Sequence, residues 1–168
     1  MEYISSDTNV WIDFFTIKMT ALPFRLPYTY LMETNTVDNE LLSPGNMKEV
    51  LLQRGLVRTE LTDGEFLYAQ ELGKYKALSV GDRVALAIAK KRGIILLTGD
   101  GALRSAAAKE GVKYMGTIGI LDQLMQKSLI SGEEYVDALT ALRDHNGKEV
   151  RLPEAELTLR IQKCTSLL

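Results

Sequence analysis

The feature that most constrains this chain is the run Ile94-Ile95-Leu96-Leu97-Thr98, bounded by Gly93 and Gly99. An apolar stretch without alternation reads as a strand covered on both faces, the habit of a parallel sheet whose crossover helices cover it. Around it, short apolar runs alternate with longer amphipathic ones. Strands are expected at residues 3–6, 28–32, 56–61, 94–98 and 112–115, and helices at 8–18, 37–54, 64–76, 79–91, 102–110 and 118–127. Pro44-Gly45 must break or redirect the 37–54 stretch, because proline lacks the amide donor. The segment from Leu22-Pro23 to Leu26-Pro27 is a connection, and Gly55 suits a helix C-cap. On 64–76, Phe66, Leu67, Ala69, Leu72 and Tyr75 fall near one side, an amphipathic pattern. Trp11 belongs in the core beside the first strand. The alternation implies an α/β fold, a three-layer α/β/α sandwich with a mostly parallel central sheet. After Ser128 the strand signal fades. Residues 133–142 and 153–164 read as amphipathic helices joined by the polar turn 144–148. The expected organisation is therefore a sheet domain at 1–128 and a C-terminal helical extension at 129–168, packed on that domain or on a partner.

Composition narrows the chemistry. The 168 residues carry 20 Lys and Arg against 22 Asp and Glu, a formal charge of -2. A protein of that charge does not coat nucleic acid by bulk electrostatics, although a local basic rim remains open. The one cysteine, Cys164, excludes an internal disulfide and a Cys-cluster zinc site. The one histidine, His145, stands in a polar stretch and offers little to a His-dependent triad. The start, MEYISSDTNVW, shows no secretory pattern, and no apolar run is long enough to span a membrane. A cytoplasmic location is the expectation.

Ligands of open parallel sheets bind beyond the carboxyl ends of the strands, so the polar residues expected there matter most. Asp7 follows the first strand and Asp100 follows 94–98. Glu40 lies one or two turns into the helix after 28–32, with Glu33 and Asp38 as alternatives, and Asp82 lies in the first turn of the helix beginning near Ser79. Four carboxylates meeting at one edge repel one another unless a cation joins them. A hard divalent ion such as Mg²⁺ or Mn²⁺ takes such oxygen ligands, activates water and stabilises a displaced phosphodiester oxygen. A structural role stands beside each acid. Asp7 and Asp100 precede helices, where an aspartate N-cap contributes about 1 kcal/mol. Ser79-Val80-Gly81-Asp82 matches a capping box, and Glu40 fits an exposed helix position.

The order of motifs carries a further signal. Ser6-Asp7-Thr8-Asn9-Val10-Trp11-Ile12-Asp13 comes first, then Val37-Asp38-Asn39-Glu40-Leu41, then Leu78-Ser79-Val80-Gly81-Asp82-Arg83-Val84-Ala85-Leu86-Ala87. Ile95-Leu96-Leu97-Thr98-Gly99-Asp100, with Ala102-Leu103-Arg104 following, completes the set. Together these resemble the PIN domain family of metal-dependent ribonucleases, over residues 3–125. The resemblance implies that Asp7, Glu40, Asp82 and Asp100 ligate Mg²⁺ or Mn²⁺ and that a metal-activated water hydrolyses RNA. It implies that Asn9 and Thr98 orient the carboxylates, ordinary turn chemistry being the alternative. Arg104 would contact a phosphate or form a surface ion pair. Many family members carry a further acid a few positions after the fourth carboxylate, where Arg104 and Ser105 stand here; one well-held metal rather than two is then the expectation. Small PIN proteins also resemble VapC-like toxins, which implies an antitoxin covering the acidic edge and a homodimer.

Other features have plainer readings. Lys90-Lys91-Arg92 ends a helix, where cations favour the dipole more readily than they clamp RNA. Tyr28, Tyr30, Tyr68 and Tyr75 fit packing before base stacking. Two competing functions stand: a catalytically inactive PIN-like binding module, and a haloacid-dehalogenase-like phosphatase. The phosphatase would want a second aspartate where Asn9 stands.

Overall fold

The computed structural model describes residues 2–42 and 45–167. Five strands, β1 (Glu2–Ser6), β2 (Tyr28–Glu33), β3 (Val57–Thr59), β4 (Ile95–Leu97) and β5 (Tyr114–Met115), form one sheet in the order β3-β2-β1-β4-β5. Every pairing is parallel, with Ile4 opposite both Tyr30 and Ile95. The first strand lies at the centre, so the chain winds outward in both directions and the order reverses at β1. Such a reversal, here between β1 and β4, is where open parallel sheets leave a crevice at the carboxyl ends of their strands.

Helices cover both faces. Leu96 and Leu97 are both fully buried and enter opposite cores, as the period of two in a strand requires. Leu97 joins a core with Ile4, Trp11, Phe14, Tyr30 and Met32, built on α1 (Thr8–Thr16), α3 (Met47–Arg54) and α7 (Thr117–Gln126). Leu96 joins the other, built on α4 (Asp63–Glu71), α5 (Val80–Arg92) and α6 (Gly101–Lys109). The molecule is a three-layer α/β/α sandwich with an all-parallel sheet. Beyond residue 128, α8 (Gly132–Asp144) and α9 (Glu154–Thr165) pack on each other. Their Ala138, Leu139, Leu142 and Leu157 share the core of Trp11 and Ile4, continuous with the sheet domain.

Some local readings change. The 37–54 stretch is broken between residues 40 and 47, as expected, but its first helix, α2 (Thr34–Glu40), begins earlier, at Thr34, with α3 following; Pro44 itself lies outside the described residues. The third strand contracts from 56–61 to Val57–Thr59. Phe66 and Leu67 are more than half exposed on α4, whereas Ala69 and Leu72 are buried. The cause is electrostatic. Glu65 is 2 % exposed and held by Arg92, whose Nε donates at 2.7 Å and whose Nη2 donates at 3.0 Å. That pair fixes which side of α4 faces inward. Arg92 also donates to the Thr59 hydroxyl and the Glu60 carbonyl, and Lys90 donates to the Glu110 carbonyl. Arg92 and Lys90 thus fasten elements together. Tyr30 is buried in a ring cluster with Trp11 and Phe24, and Tyr68 and Tyr75 both donate to Glu110.

Candidate functional site

Polar bonds from β1 hold the crevice in shape. Ser5 donates to the Ala85 carbonyl of α5 at 2.8 Å, and Ser6 donates to the Leu31 carbonyl of β2 at 2.9 Å while accepting from the Trp11 indole at 3.0 Å. All the groups in these bonds are buried and satisfied, so the end of β1 is locked to its neighbours. The Asp7 amide then donates to the Leu97 carbonyl at 2.9 Å, which places Asp7 between β1 and β4 at the sheet edge.

Asp7 is 7 % exposed. Its Oδ1 accepts from the Thr8 amide at 2.9 Å as the N-cap of α1, and its Oδ2 accepts from the Thr98 hydroxyl at 2.9 Å. Burial pushes its carboxyl up to about 7; the charge of Asp82 adds to this, the Thr98 and Thr8 bonds oppose it, and Glu40 adds a smaller push. Burial also raises the Glu40 carboxyl, with the charges of Asp82 and Glu33 adding to it. Three acids from α2, α5 and the β1–α1 junction therefore sit within one another's fields. Glu40 presses on Gly81, where an added Cβ would lie 2.5 Å from Oε2.

Asp82 closes a capping box. Its Oδ2 accepts from the Ser79 amide at 2.9 Å, and its own amide donates to the Ser79 hydroxyl at 3.1 Å. Asp100 N-caps α6 by accepting from the Leu103 amide at 2.8 Å. Thr98 ties Asp100 to Asp7, since its hydroxyl accepts from the Asp100 amide at 3.1 Å and donates to Asp7. Asn9 accepts from the Gly99 amide at 3.1 Å and so holds the turn that carries Asp100. Asp7 and Asp100 thus N-cap α1 and α6, and Asp82 completes the capping box of α5, while Asp7, Glu40 and Asp82 are the acids whose charges reach one another.

Of the alternatives to Glu40, Glu33 lies beside it, its charge raising the Glu40 carboxyl, whereas Asp38 is tied to two cations. Glu33 caps α2, accepting from the Thr36 amide at 2.9 Å, and Asp38 is paired with Lys48 at 2.8 Å and Arg58 at 2.5 Å. Arg104 forms no ion pair among the described residues. Its Nε donates to the Thr98 carbonyl at 3.0 Å, and its guanidinium lies 5.3 Å from the centre of the Tyr114 ring. Two residues near the crevice escaped sequence reasoning. Gly81 leaves room for the Glu40 carboxylate. Asp13, 7 % exposed on α1, accepts from the Thr117 hydroxyl at 2.6 Å and is pushed up to about 6 by burial. The D-T-N-V-W-I-D spacing held Asp13 in view, but nothing in it marked the residue as buried.

The donors here are all oxygens, and their mutual repulsion is of the kind a hard divalent cation relieves. Among the described residues, no three acids, histidines or cysteines are grouped closely enough to form a ready-made metal cage. Mg²⁺ does not demand one, because it keeps several waters and binds through one or two carboxylates. Among the described residues, no helix is long and apolar enough to cross a membrane.

No curated protein and no solved structure matches the chain. A family model described as PIN domain matches residues 4–166, which takes in the sheet domain and both C-terminal helices. The chain belongs to the PIN domain family, whose members are generally nucleases.

Proposed function

We propose that this protein is a metal-dependent endoribonuclease that hydrolyses phosphodiester bonds of unstructured RNA at the crevice beyond β1 and β4. The observation that carries the reading is Asp7. A carboxylate this buried, with two further acids raising its proton affinity, is costly to keep ionised unless a cation joins it. Asp7, Glu40, Asp82 and Asp100 would hold Mg²⁺ or Mn²⁺. When bound, that ion supplies an activated water and stabilisation of the departing oxygen. The chain's own part is to fix the carboxylates. Thr98 holds one Asp7 oxygen through its hydroxyl and positions the Asp100 amide. Ser79 fixes Asp82 against the start of α5, and Asn9 fixes the Gly99 turn.

The test is cleavage of an unstructured RNA by purified protein with Mn²⁺. Wild type cuts it. Asp7→Asn and Asp100→Asn abolish cutting while retaining the folded signal in circular dichroism. Variants that cut at the wild-type rate would contradict the assignment. Binding without cutting would favour the inactive-module reading, and preference for a small phosphomonoester would favour a phosphatase. Against the phosphatase stands Asn9, an amide already engaged with Gly99 where that chemistry needs an acid. The resemblance to toxins extends the proposal to an antitoxin over the acidic edge and to a homodimer. Co-purification from the native cell and light scattering test these two.

A further inference from the structure

An acidic crevice in a chain of net charge -2 must find its grip on a phosphate strand in cations placed beside it. The C-terminal extension brings one. Asn9, Asp13 and Asp100 line a small cavity of about 300 Å³ together with Glu149, Arg151 and Leu152 of the extension. Arg151 also lines the adjoining cleft of about 740 Å³, together with Arg104, Tyr114 and Arg160. The other arginines there are engaged: Arg160 with Asp122 at 3.0 Å and Glu156 at 2.5 Å, Arg104 with the Thr98 carbonyl. Arg151 is exposed and has no hydrogen bond or ion pair among the described residues. Of the neighbouring acids, Asp122 and Glu156 face Arg160, Glu149 lies 3.4 Å from the His145 ring, Asp13 accepts from Thr117 and Asp100 caps α6.

The loop that carries Arg151 is built. Asn146 clasps Leu152 from both sides, its Nδ2 donating to the Leu152 carbonyl at 3.0 Å and its Oδ1 accepting from the Leu152 amide at 2.8 Å. The Gly147 amide donates to the Val150 carbonyl at 2.8 Å, and Val150 is fully buried. Gly147 takes a φ of +87°, a conformation a side chain would strain. An anchored loop thus presents an uncommitted guanidinium to a small cavity that Asp100 also lines. Guanidinium is the group best matched to a phosphate's paired oxygens.

We propose that Arg151 binds a backbone phosphate of the RNA strand next to the one being cut, so that the C-terminal extension forms one wall of the substrate channel. This rests on the nuclease reading. The experiment measures binding of a short single-stranded RNA by fluorescence anisotropy in Mg²⁺ across a salt series, every protein carrying Asp7→Asn so that the strand is not cut. Arg151→Ala weakens binding roughly three- to tenfold, the range of one charged contact at a partly exposed site. It also makes the dependence of log K on log salt shallower by about 0.7, one phosphate contact on a single strand. Arg151→Lys retains much of the salt dependence. Lys127→Ala, which removes the same charge at the far end of α7, leaves both quantities near those of the Asp7→Asn parent. If Arg151→Ala behaves as Lys127→Ala does, or the Asp7→Asn parent fails to bind, the proposal is overturned. Cleavage of ordinary RNA by wild type, measured in parallel, then shows whether the nuclease reading stands without it.

Discussion

Replacing Gly81 with alanine separates the crevice's chemistry from its stability. An alanine Cβ would sit 2.5 Å from Glu40 Oε2 and 3.0 Å from Cδ. Ordinary contact is about 3.5 Å, so the carboxylate must withdraw by about 1 Å. The obstructed atoms end a flexible side chain at the last residue of α2, so the retreat costs the fold little. Position 81 lies in the first turn of α5, where alanine is favoured over glycine by up to about 1 kcal/mol. Gly81→Ala therefore unfolds at a urea concentration equal to or slightly above wild type. Catalysis responds differently, because misplacing a working group by about 1 Å costs up to roughly 100-fold. RNA cleavage with Mn²⁺ should fall by about ten- to 100-fold in kcat/KM, close to the loss in Glu40→Gln. Wild-type cleavage by a stable Gly81→Ala would refute the claim that Glu40 works where it stands. Loss of stability would show that Gly81 serves packing instead.

Two further outcomes follow from buried charges. Asp13 is held at about 6 against an ordinary 3.8. A carboxyl raised on folding contributes stability that is complete below about pH 4 and lost as pH rises through about 6, roughly 3 kcal/mol in all. Asp13→Asn should flatten that part of the curve in urea melts with chelator present, Asp7 tilting what remains in the same direction; an unchanged curve would contradict the buried ionisation. Arg92→Ala leaves Glu65 buried without its partner and should cost roughly 2–3 kcal/mol, lowering Tm by about 5–10 °C. RNA affinity should not change, and a large loss of it in a stable variant would restore the clamp reading.

How much of this was legible in the sequence depends on what each residue answers to. The run 94–98 was readable because parallel strands are covered on both faces, and Leu96 and Leu97 indeed serve opposite cores. The cap signals of Asp7, Ser79 and Asp100 were readable because capping is local, settled within three residues. The outward face of α4 was not, because a buried Glu65–Arg92 pair spanning 27 residues outweighs the spacing of Phe66 and Leu67. The same limit applies at the crevice. That Glu40 crosses Gly81, that Thr98 bridges Asp7 to Asp100, and that Arg104 turns to a backbone carbonyl are all consequences of packing between distant segments. Arg151 is the plainest case, since the Asn146 clasp and the buried Val150 bring residue 151 to the cavity that residue 100 lines.

Calorimetric titration with Mn²⁺ tests the carboxylate crevice most directly. Wild type should bind the ion saturably, and Asp7→Asn and Asp82→Asn should each weaken binding roughly tenfold or more while remaining folded. Equal affinity in wild type and Asp7→Asn, or no binding by wild type, would contradict it.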